Sequence, residues 1–334
     1  MENLDNLRVI KETADHIKRE VKKVILGVDR VIDMVLVSLF TKGHCLLEGP
    51  PGQAKTTLFL ALSKTINGRF HRFQGIPDAL PSDILYATDL DQKGNLKFNF
   101  GALINESEKL GIVLLDEINR YQSKTQAVFL EAMQERKVTL STREAKLPHV
   151  MFVATRNPLE KQQTYELPAA QRDRFLMEVE LDYPDRQSEK KIYSEARFQD
   201  MNKLVNDLNK CVELEEISEA HEVIQTQVKT SESLINYVYE IIEITRDPKR
   251  FGFKDTEKWH NKGVSTRGGI KLLEAAKTHA ALRGEDAVLP QDVQNILIEV
   301  LAHRIFIHPF AEARRSGVVK KFLEEIKASV RAPD

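Results

Sequence analysis

Five clusters of polar residues in this chain have the types and spacing that phosphate chemistry needs. The first is Gly49-Pro50-Pro51-Gly52-Gln53-Ala54-Lys55-Thr56-Thr57, inside HCLLEGPPGQAKTTLFLAL. It follows the phosphate-loop pattern G-x-x-x-x-G-K-[ST], except that Ala54 stands where the second glycine belongs. Such loops aim backbone N–H groups at a helix N-terminus toward phosphate oxygens. Lys55 is placed to reach the outer phosphates, and Thr56 to hold Mg²⁺ through its hydroxyl. Glycine is required where φ is positive or where a Cβ would touch phosphate. Ala54 directly precedes the helix, so a helical φ/ψ there would tolerate its methyl group.

The second cluster ends the run GIVLLDEIN. Burying Asp116 and Glu117 at the end of an apolar strand is costly unless they meet cations. With bound phosphate nearby, Asp116 would serve Mg²⁺ and Glu117 would orient and deprotonate an attacking water. Taken alone, the pair is equally a solvated strand end. The third is FVATRNP, whose strand closes on Thr155, Arg156 and Asn157. Ligands of open α/β sheets gather at such carboxyl ends, although Asn-Pro is also a common turn initiator. The fourth is LPAAQRDRFL, with Arg172 and Arg174 just before a strand. An arginine there stabilises charge on a transferring phosphoryl group, in cis or from a neighbour; the plainer reading is a surface arginine. The fifth is Arg267 in GVSTRGGIKLL, in the first turn of a helix. It reads either as solvated or as a lid arginine that meets the nucleotide when two domains close.

These groups need a frame. Apolar periodicity predicts helices at 2–26 and 30–41, separated by Gly27-Val28-Asp29. HCLLEG is a short buried strand, and TTLFLALSKTI is a helix ending near Asn67-Gly68. That strand–loop–helix order is the context a phosphate loop requires. DILYATDL and NLKFNFGAL alternate as a β-hairpin across DQKGN. GIVLLDEINR, VMFVATRNP and FLMEVELDYP read as strands, the first two buried. KTQAVFLEAMQER is a helix, and KVTLSTREAKLP is a second hairpin. After about residue 187 long helical segments take over, among them SESLINYVYEIIEITRD and PQDVQNILIEVLAHRIF. The expected fold class is α/β: a parallel sheet with helices on both faces, followed by a smaller all-helical domain. The boundary falls near Asp182–Gln187.

Composition sets the limits. The 334 residues are 42% hydrophobic and 30% charged, enough to bury large cores, and their number suggests two domains. A formal net charge of -1 gives no global pull toward nucleic acid or an anionic membrane. Cys45 and Cys211 are too few for a disulfide framework and read as thiols in a reducing compartment. No apolar run approaches the roughly 20 residues that span a bilayer, and the N-terminus has no signal-peptide core. The expected location is cytoplasmic.

Taken together, in this order, the motifs resemble the AAA+ ATPases, and within them the MoxR family, over nearly the whole chain. The closest stretch is LLDEINR, KTQAVFLEAMQERKVTL and LPHVMFVATRNPLEKQQTYELPAAQRDRFLMEVELDYP. HCLLEGPPGQAKTT is similar to the MoxR loop, where alanine commonly precedes the lysine. GVSTRGG, VLPQDV and LAHRI resemble the family's helical lid. The magnesium-chelatase AAA+ subunits are a weaker, related likeness. The resemblance implies a nucleotide-binding domain over 1–184, with N-terminal helices and two hairpin insertions, and a lid over 185–334. It implies ATP and Mg²⁺ as ligands, and a Walker A loop from Gly49 to Thr57 with Lys55 on phosphate and Thr56 on the metal. Asp116 and Glu117 would be Walker B, with Glu117 the catalytic base. Asn157 would be sensor 1, Arg174 the arginine finger offered to a neighbour, and Arg267 sensor 2. Gly27 and Val28 would lie near the adenine. The sequence departs from the pattern at Thr266, where Ser-Pro-Arg is usual, at Arg172, where an uncharged residue is common, and in NFGALINE before Walker B.

The implied function is an ATP-hydrolysing motor, assembled as a homo-hexameric ring. Its role would be chaperone-like: maturation of a client protein or insertion of its metal cofactor, often with a von Willebrand factor A domain partner. A DNA-associated motor is the alternative, because Lys137, Arg143 and Lys146 flank the second hairpin; strongly salt-dependent DNA affinity would distinguish it. A non-hydrolysing nucleotide-gated scaffold is opposed by the presence of Lys55, Asp116 and Glu117 together.

Overall fold

A computed structural model of the chain describes residues 2–90, 96–140, 143–157, 165 and 167–333. The strands in chain order are β1 (Cys45–Glu48), β2 (Arg69–Gln74), β3 (Tyr86–Leu90), β4 (Leu96–Phe100), β5 (Leu110–Asp116), β6 (Lys137–Leu140), β7 (Arg143–Lys146), β8 (Met151–Arg156), β9 (Met177–Glu180), β10 (His260–Lys262) and β11 (Phe306–Ile307). Five form one parallel sheet in the order β2-β5-β8-β1-β9.

The pleat divides the strand side chains between two cores. Ile112 and Leu114 of β5, Met151 and Val153 of β8, and Cys45 and Leu47 of β1 enter one. Their neighbours Val113, Leu115, Phe152, Ala154 and Leu46 enter the other. A strand covered on both faces must be apolar at every position, which is why these segments read as unbroken runs. On the first face lie the helices Glu2–Val21, Asp29–Phe40 and Lys55–Thr65; on the second lies Ser123–Glu135. Asp29–Phe40 buries nine of its twelve residues, from Val31 to Phe40, so it is a core helix rather than an amphipathic surface one.

The C-terminal half is built on the helices Leu214–Gln227, Glu232–Arg246, Thr266–Arg283, Pro290–Leu301 and Arg315–Ser329. The N-terminal helix packs on Thr266–Arg283 and Leu214–Gln227 as well as on Lys55–Thr65. Among the polar ties that join the halves are those of Thr41 and Arg30. Thr41 Oγ1 donates to Thr278 Oγ1 at 2.9 Å, and Arg30 Nη2 lies 2.6 Å from Glu299 Oε1. Among the described residues no helix is long and apolar enough to cross a membrane.

Several elements differ from the sequence expectation. The first helix stops at Val21, where a turn begins, and not near residue 26. Segments read as parts of the first hairpin are short helices, Pro81–Leu85 and Ala102–Asn105. Strand β2 was not foreseen. The C-terminal half also carries a two-stranded antiparallel ribbon, β10 with β11. Trp259, which leads into β10, sets its ring edgewise on Phe322, with centroids 5.6 Å apart. The hairpin turns at 91–95 and 141–142 lie outside the described residues.

Candidate active site

The loop begins where β1 ends. Glu48, the last residue of the strand, pairs with Arg156 at the end of β8, 2.9 Å away, both about nine-tenths buried. Gly49 N–H donates to Arg156 O at 3.3 Å, and Leu181 N–H donates to Glu48 O at 2.8 Å. A Cβ at Gly49 would fall 2.4 Å from Leu181 O, so only glycine fits. Gly52 has φ +82. Ala54 is also left-handed, at φ 51 and ψ 26. The helical conformation expected at Ala54 is therefore corrected: the position has the backbone that glycine adopts freely, and alanine holds it at a cost of about 1–2 kcal/mol. The helix Lys55–Thr65 then starts with no side-chain cap, which leaves its first N–H groups available to a ligand. Pro51, Gly52 and Ala54 are exposed; Pro50, Gln53, Lys55, Thr56 and Thr57 are half-buried.

Lys55 folds back, and its ammonium donates to Gly49 O. Burial lowers its pKa, while Asp116, Glu117 and Glu48 act in the opposite direction. Lys55 thus lies within the influence of three carboxylates gathered at the carboxyl edge of the sheet. Thr155 organises two of these residues: its hydroxyl donates to Asp116 Oδ1 at 2.6 Å and accepts from the Glu117 N–H at 2.9 Å. Glu117 itself is left-handed, at φ 54 and ψ 53. Non-glycine residues in that region persist only where the surroundings over-determine them. Here Gly75 allows it: a Cβ at Gly75 would lie 2.3 Å from Glu117 O. The Glu117 carboxylate accepts from Gln74 Nε2 at 3.1 Å, and Arg120 Nε lies 3.1 Å from it.

Arg72 and Gln74 are among the groups at this edge that were not foreseen. Arg72 donates from both Nε (3.0 Å) and Nη2 to Asp116 Oδ2. Gln74 lies in register with Asp116 and reaches Glu117. Both sit on β2, whose half-exposed RFHRFQ has neither an unbroken apolar run nor a period-2 alternation to signal a strand. Asn157 follows β8 and is buried, 7% exposed.

Gly27 and Val28 line a cleft of about 350 Å³ together with Arg30, Asp182, Tyr183 and Glu299. Glu180 and Asp182 of its lining flank Leu181, which touches both Glu48 and Gly49. Gly27 has φ +76, and a Cβ there would lie 2.8 Å from Ser188 Cβ.

Arg174 and Arg267 are elsewhere. Both line a second cavity of about 200 Å³ with Lys42, His44, Arg136, Asp173, Lys271 and Arg304. Gly43 and His44 enter the amino end of β1, whereas Gly49 leaves its carboxyl end, so the strand, about 13 Å long, separates this cavity from the loop. In this geometry Arg267 stands apart from the phosphate loop of its own chain. Arg174 Nε donates to Gln134 Oε1 at 3.2 Å. Arg172 is buried, 5% exposed, so of the two candidate arginines it is Arg174 that opens onto the cavity. Arg136 is anchored by donating to Val150 O at 2.6 Å and to Lys42 O, and burial lowers it to about 10. His44 is fully buried. Its Nδ1 accepts from Phe152 N–H at 3.1 Å and its Nε2 lies 3.0 Å from Met133 O, which selects the neutral Nε2–H form; burial depresses its pKa well below the usual value.

Residues 44–177 match the ATPase family associated with various cellular activities (AAA), and residues 261–326 match the AAA lid domain. Protein MoxR of Methylorubrum extorquens is 32% identical over 97% of this chain and 96% of its own length. Chaperone MoxR1 of Mycobacterium tuberculosis is 36% identical over 86% of this chain and 74% of its own. A crystal structure of a Cytophaga hutchinsonii protein assigned as an ATPase superposes with a TM-score of 0.85, at 35% identity, over 99% of this chain and 97% of that one. The chain belongs to the MoxR family of AAA+ ATPases.

In this MoxR-family chain the donors suit Mg²⁺. The Thr56 hydroxyl and the Asp116 carboxylate are hard oxygen donors at the carboxyl edge, and the described residues hold no group of three or more His, Cys, Asp or Glu side chains fit for a metal. Mg²⁺ is commonly held by one or two protein oxygens, with water and substrate phosphates completing its shell. Arg72 on Asp116 marks the same spot as one that draws a cation.

Proposed function

We propose that this chain binds ATP with Mg²⁺ and hydrolyses its terminal phosphoanhydride, with residues 1–184 as the nucleotide-binding domain and 185–334 as the lid. The Gly49–Thr57 loop and Lys55 hold the phosphates, and the adenine lies toward Gly27 and Val28. Thr56 and Asp116 hold Mg²⁺, which would neutralise phosphate charge. Glu117 orients water and takes its proton, and Asn157 senses the same water or the outer phosphate. The observation that carries this reading is the meeting of Lys55, Asp116 and Glu117 at one sheet edge, with Glu117 held in a strained backbone by Thr155.

Arg174 and Arg267 lie at the opposite end of the sheet, so they serve a neighbouring subunit's nucleotide. That supports a cyclic assembly, a hexamer on family grounds, because head-to-tail contacts close into rings. The biological role proposed is chaperone-like, in keeping with the name of the M. tuberculosis relative: maturation or metal-cofactor insertion of a client, with a von Willebrand factor A domain partner. The DNA-motor reading is weaker, since Lys137 pairs with Glu144 at 2.8 Å and Arg143 lies 4.6 Å over the Phe100 ring. ATP turnover per subunit across protein concentrations tests the proposal. A specific rate that rises and then plateaus, and that is lost in Lys55→Ala, is expected. Absence of Mg²⁺-dependent turnover in assembled protein would overturn it.

A further inference from the structure

Arg304 ends the short turn Ala302–Arg304 that follows the helix Pro290–Leu301. It is 2% exposed, and burial lowers its guanidinium to about 10. A buried cation is tolerated when its donors are satisfied. Arg304 directs most of its polar contacts to the segment that carries Arg174, with Nε in an ion pair and Nη1 also meeting Val300 O and His303 Nε2. Nη2 donates to Phe175 O at 2.7 Å, Nη1 donates to Leu176 O at 3.0 Å, and Nε lies 2.8 Å from Asp173 Oδ1. His303 adds an Nε2 contact of 2.9 Å to Phe175 O. Residues 173, 175 and 176 therefore bracket Arg174, whose own side chain stays outside the clamp and lines the cavity.

The stem of Arg304 supports Arg267. Gly268, the next residue of the helix Thr266–Arg283, is buried, and a Cβ there would lie 2.9 Å from Arg304 Cδ. The first turn that presents Arg267 thus rests on the Arg304 stem. One side chain touches the supports of both arginines, although they come from different halves of the chain. A lysine could not replace it, because a single ammonium cannot supply the planar fork that spans a carboxylate and two carbonyls.

We propose that Arg304 is a positioning residue that fixes the spacing of Arg174 and Arg267, so that both reach a neighbouring subunit's phosphates as one unit. The proposal rests on the reading of those two arginines as acting in trans. Its test uses the full chain as Arg304→Gln, Arg304→Lys, Asp173→Asn, Arg174→Ala and the Arg174→Ala/Arg267→Ala pair with and without Arg304→Gln. Turnover, affinity for a fluorescent ATP analogue, assembly size and unfolding temperature are measured on each. Arg304→Gln and Arg304→Lys should lower kcat about 100-fold, the scale of a misplacement near 1 Å, with KM and analogue affinity nearly unchanged. In the paired alanine background Arg304→Gln should cost nothing further. A comparable further loss in that background, or wild-type kcat in Arg304→Lys, would overturn the proposal. Should Arg304→Gln fail to fold, Asp173→Asn decides: about tenfold lower kcat supports it, and an unchanged kcat refutes it. Arg174→Ala at the wild-type rate would instead sink the underlying trans reading, which separates the two failures.

Discussion

Arg72 provides the sharpest test of the carboxyl edge. Its guanidinium occupies Asp116 Oδ2, the carboxylate assigned to Mg²⁺, with side-chain exposures of 43% and 16%. Any cation that takes Asp116 must displace Arg72 or share the oxygen with it. A half-exposed pair is worth at most about 1 kcal/mol after screening, and a charge-assisted hydrogen bond with one well-buried partner about 1.5–3 kcal/mol. Taking about 1 kcal/mol, and tenfold per 1.4 kcal/mol, removal of Arg72 should strengthen the metal's contribution about fivefold. The assay is the affinity of Arg72→Gln for a fluorescent ATP analogue, with Mg²⁺ and with EDTA, expressed as the ratio of the two dissociation constants. The ratio should rise about fivefold over wild type, because ATP without metal then meets an unpaired Asp116 while MgATP meets a freer one. An unchanged or smaller ratio would show that Arg72 does not compete for Asp116 and that its place there is incidental to the metal.

Other outcomes follow from single contacts. Thr155→Val keeps the shape but leaves the Glu117 N–H and Asp116 without their partner, so turnover should fall roughly 10–100-fold, the scale of about 1–3 kcal/mol, while analogue binding persists; equal turnover would sink the role given to Thr155. Ala54→Gly removes a left-handed strain of about 1–2 kcal/mol and adds about 0.5–1 kcal/mol of unfolded-state entropy, so a denaturant midpoint equal to or slightly above wild type is expected, and a clear drop is not. For pH, buried His44 and His303 both have depressed folded-state pKa values, with burial the main cause. The unfolded chain therefore binds protons that the folded one refuses. Stability should fall as pH drops below about 6.5, by up to about 1.4 kcal/mol per pH unit for each histidine. Denaturation curves from pH 7.5 to 5 should show the slope reduced in His44→Gln; an identical slope would refute the assignment.

Legibility from sequence followed burial. β1, β5 and β8 are covered on both faces, so they read as apolar runs, and the polar residues that end them could be placed at one sheet edge. β2 carries the same kind of site residues but is a half-exposed edge strand, and its mixed pattern hid Arg72 and Gln74. The left-handed backbone of Ala54 was marked only by the glycine that the loop pattern expects there, since alanine itself does not mark such positions. The shared cavity of Arg174 and Arg267 depends on how the lid packs against the segment entering β9, through Arg304, and no local pattern encodes that long-range contact. The ribbon of β10 with β11 was missed for the same reason: two short strands joined across a long helical stretch.

The central claim is that a complete site takes Lys55, Asp116 and Glu117 from one chain and Arg174 from the next. Mixing Glu117→Gln with Arg174→Ala, each nearly inactive alone, tests this most directly. Random 1:1 co-assembly should restore turnover at about a quarter of the interfaces, those that join an intact base to an intact finger in a head-to-tail ring. Mixed assemblies that stay as inactive as either variant alone would contradict the shared site.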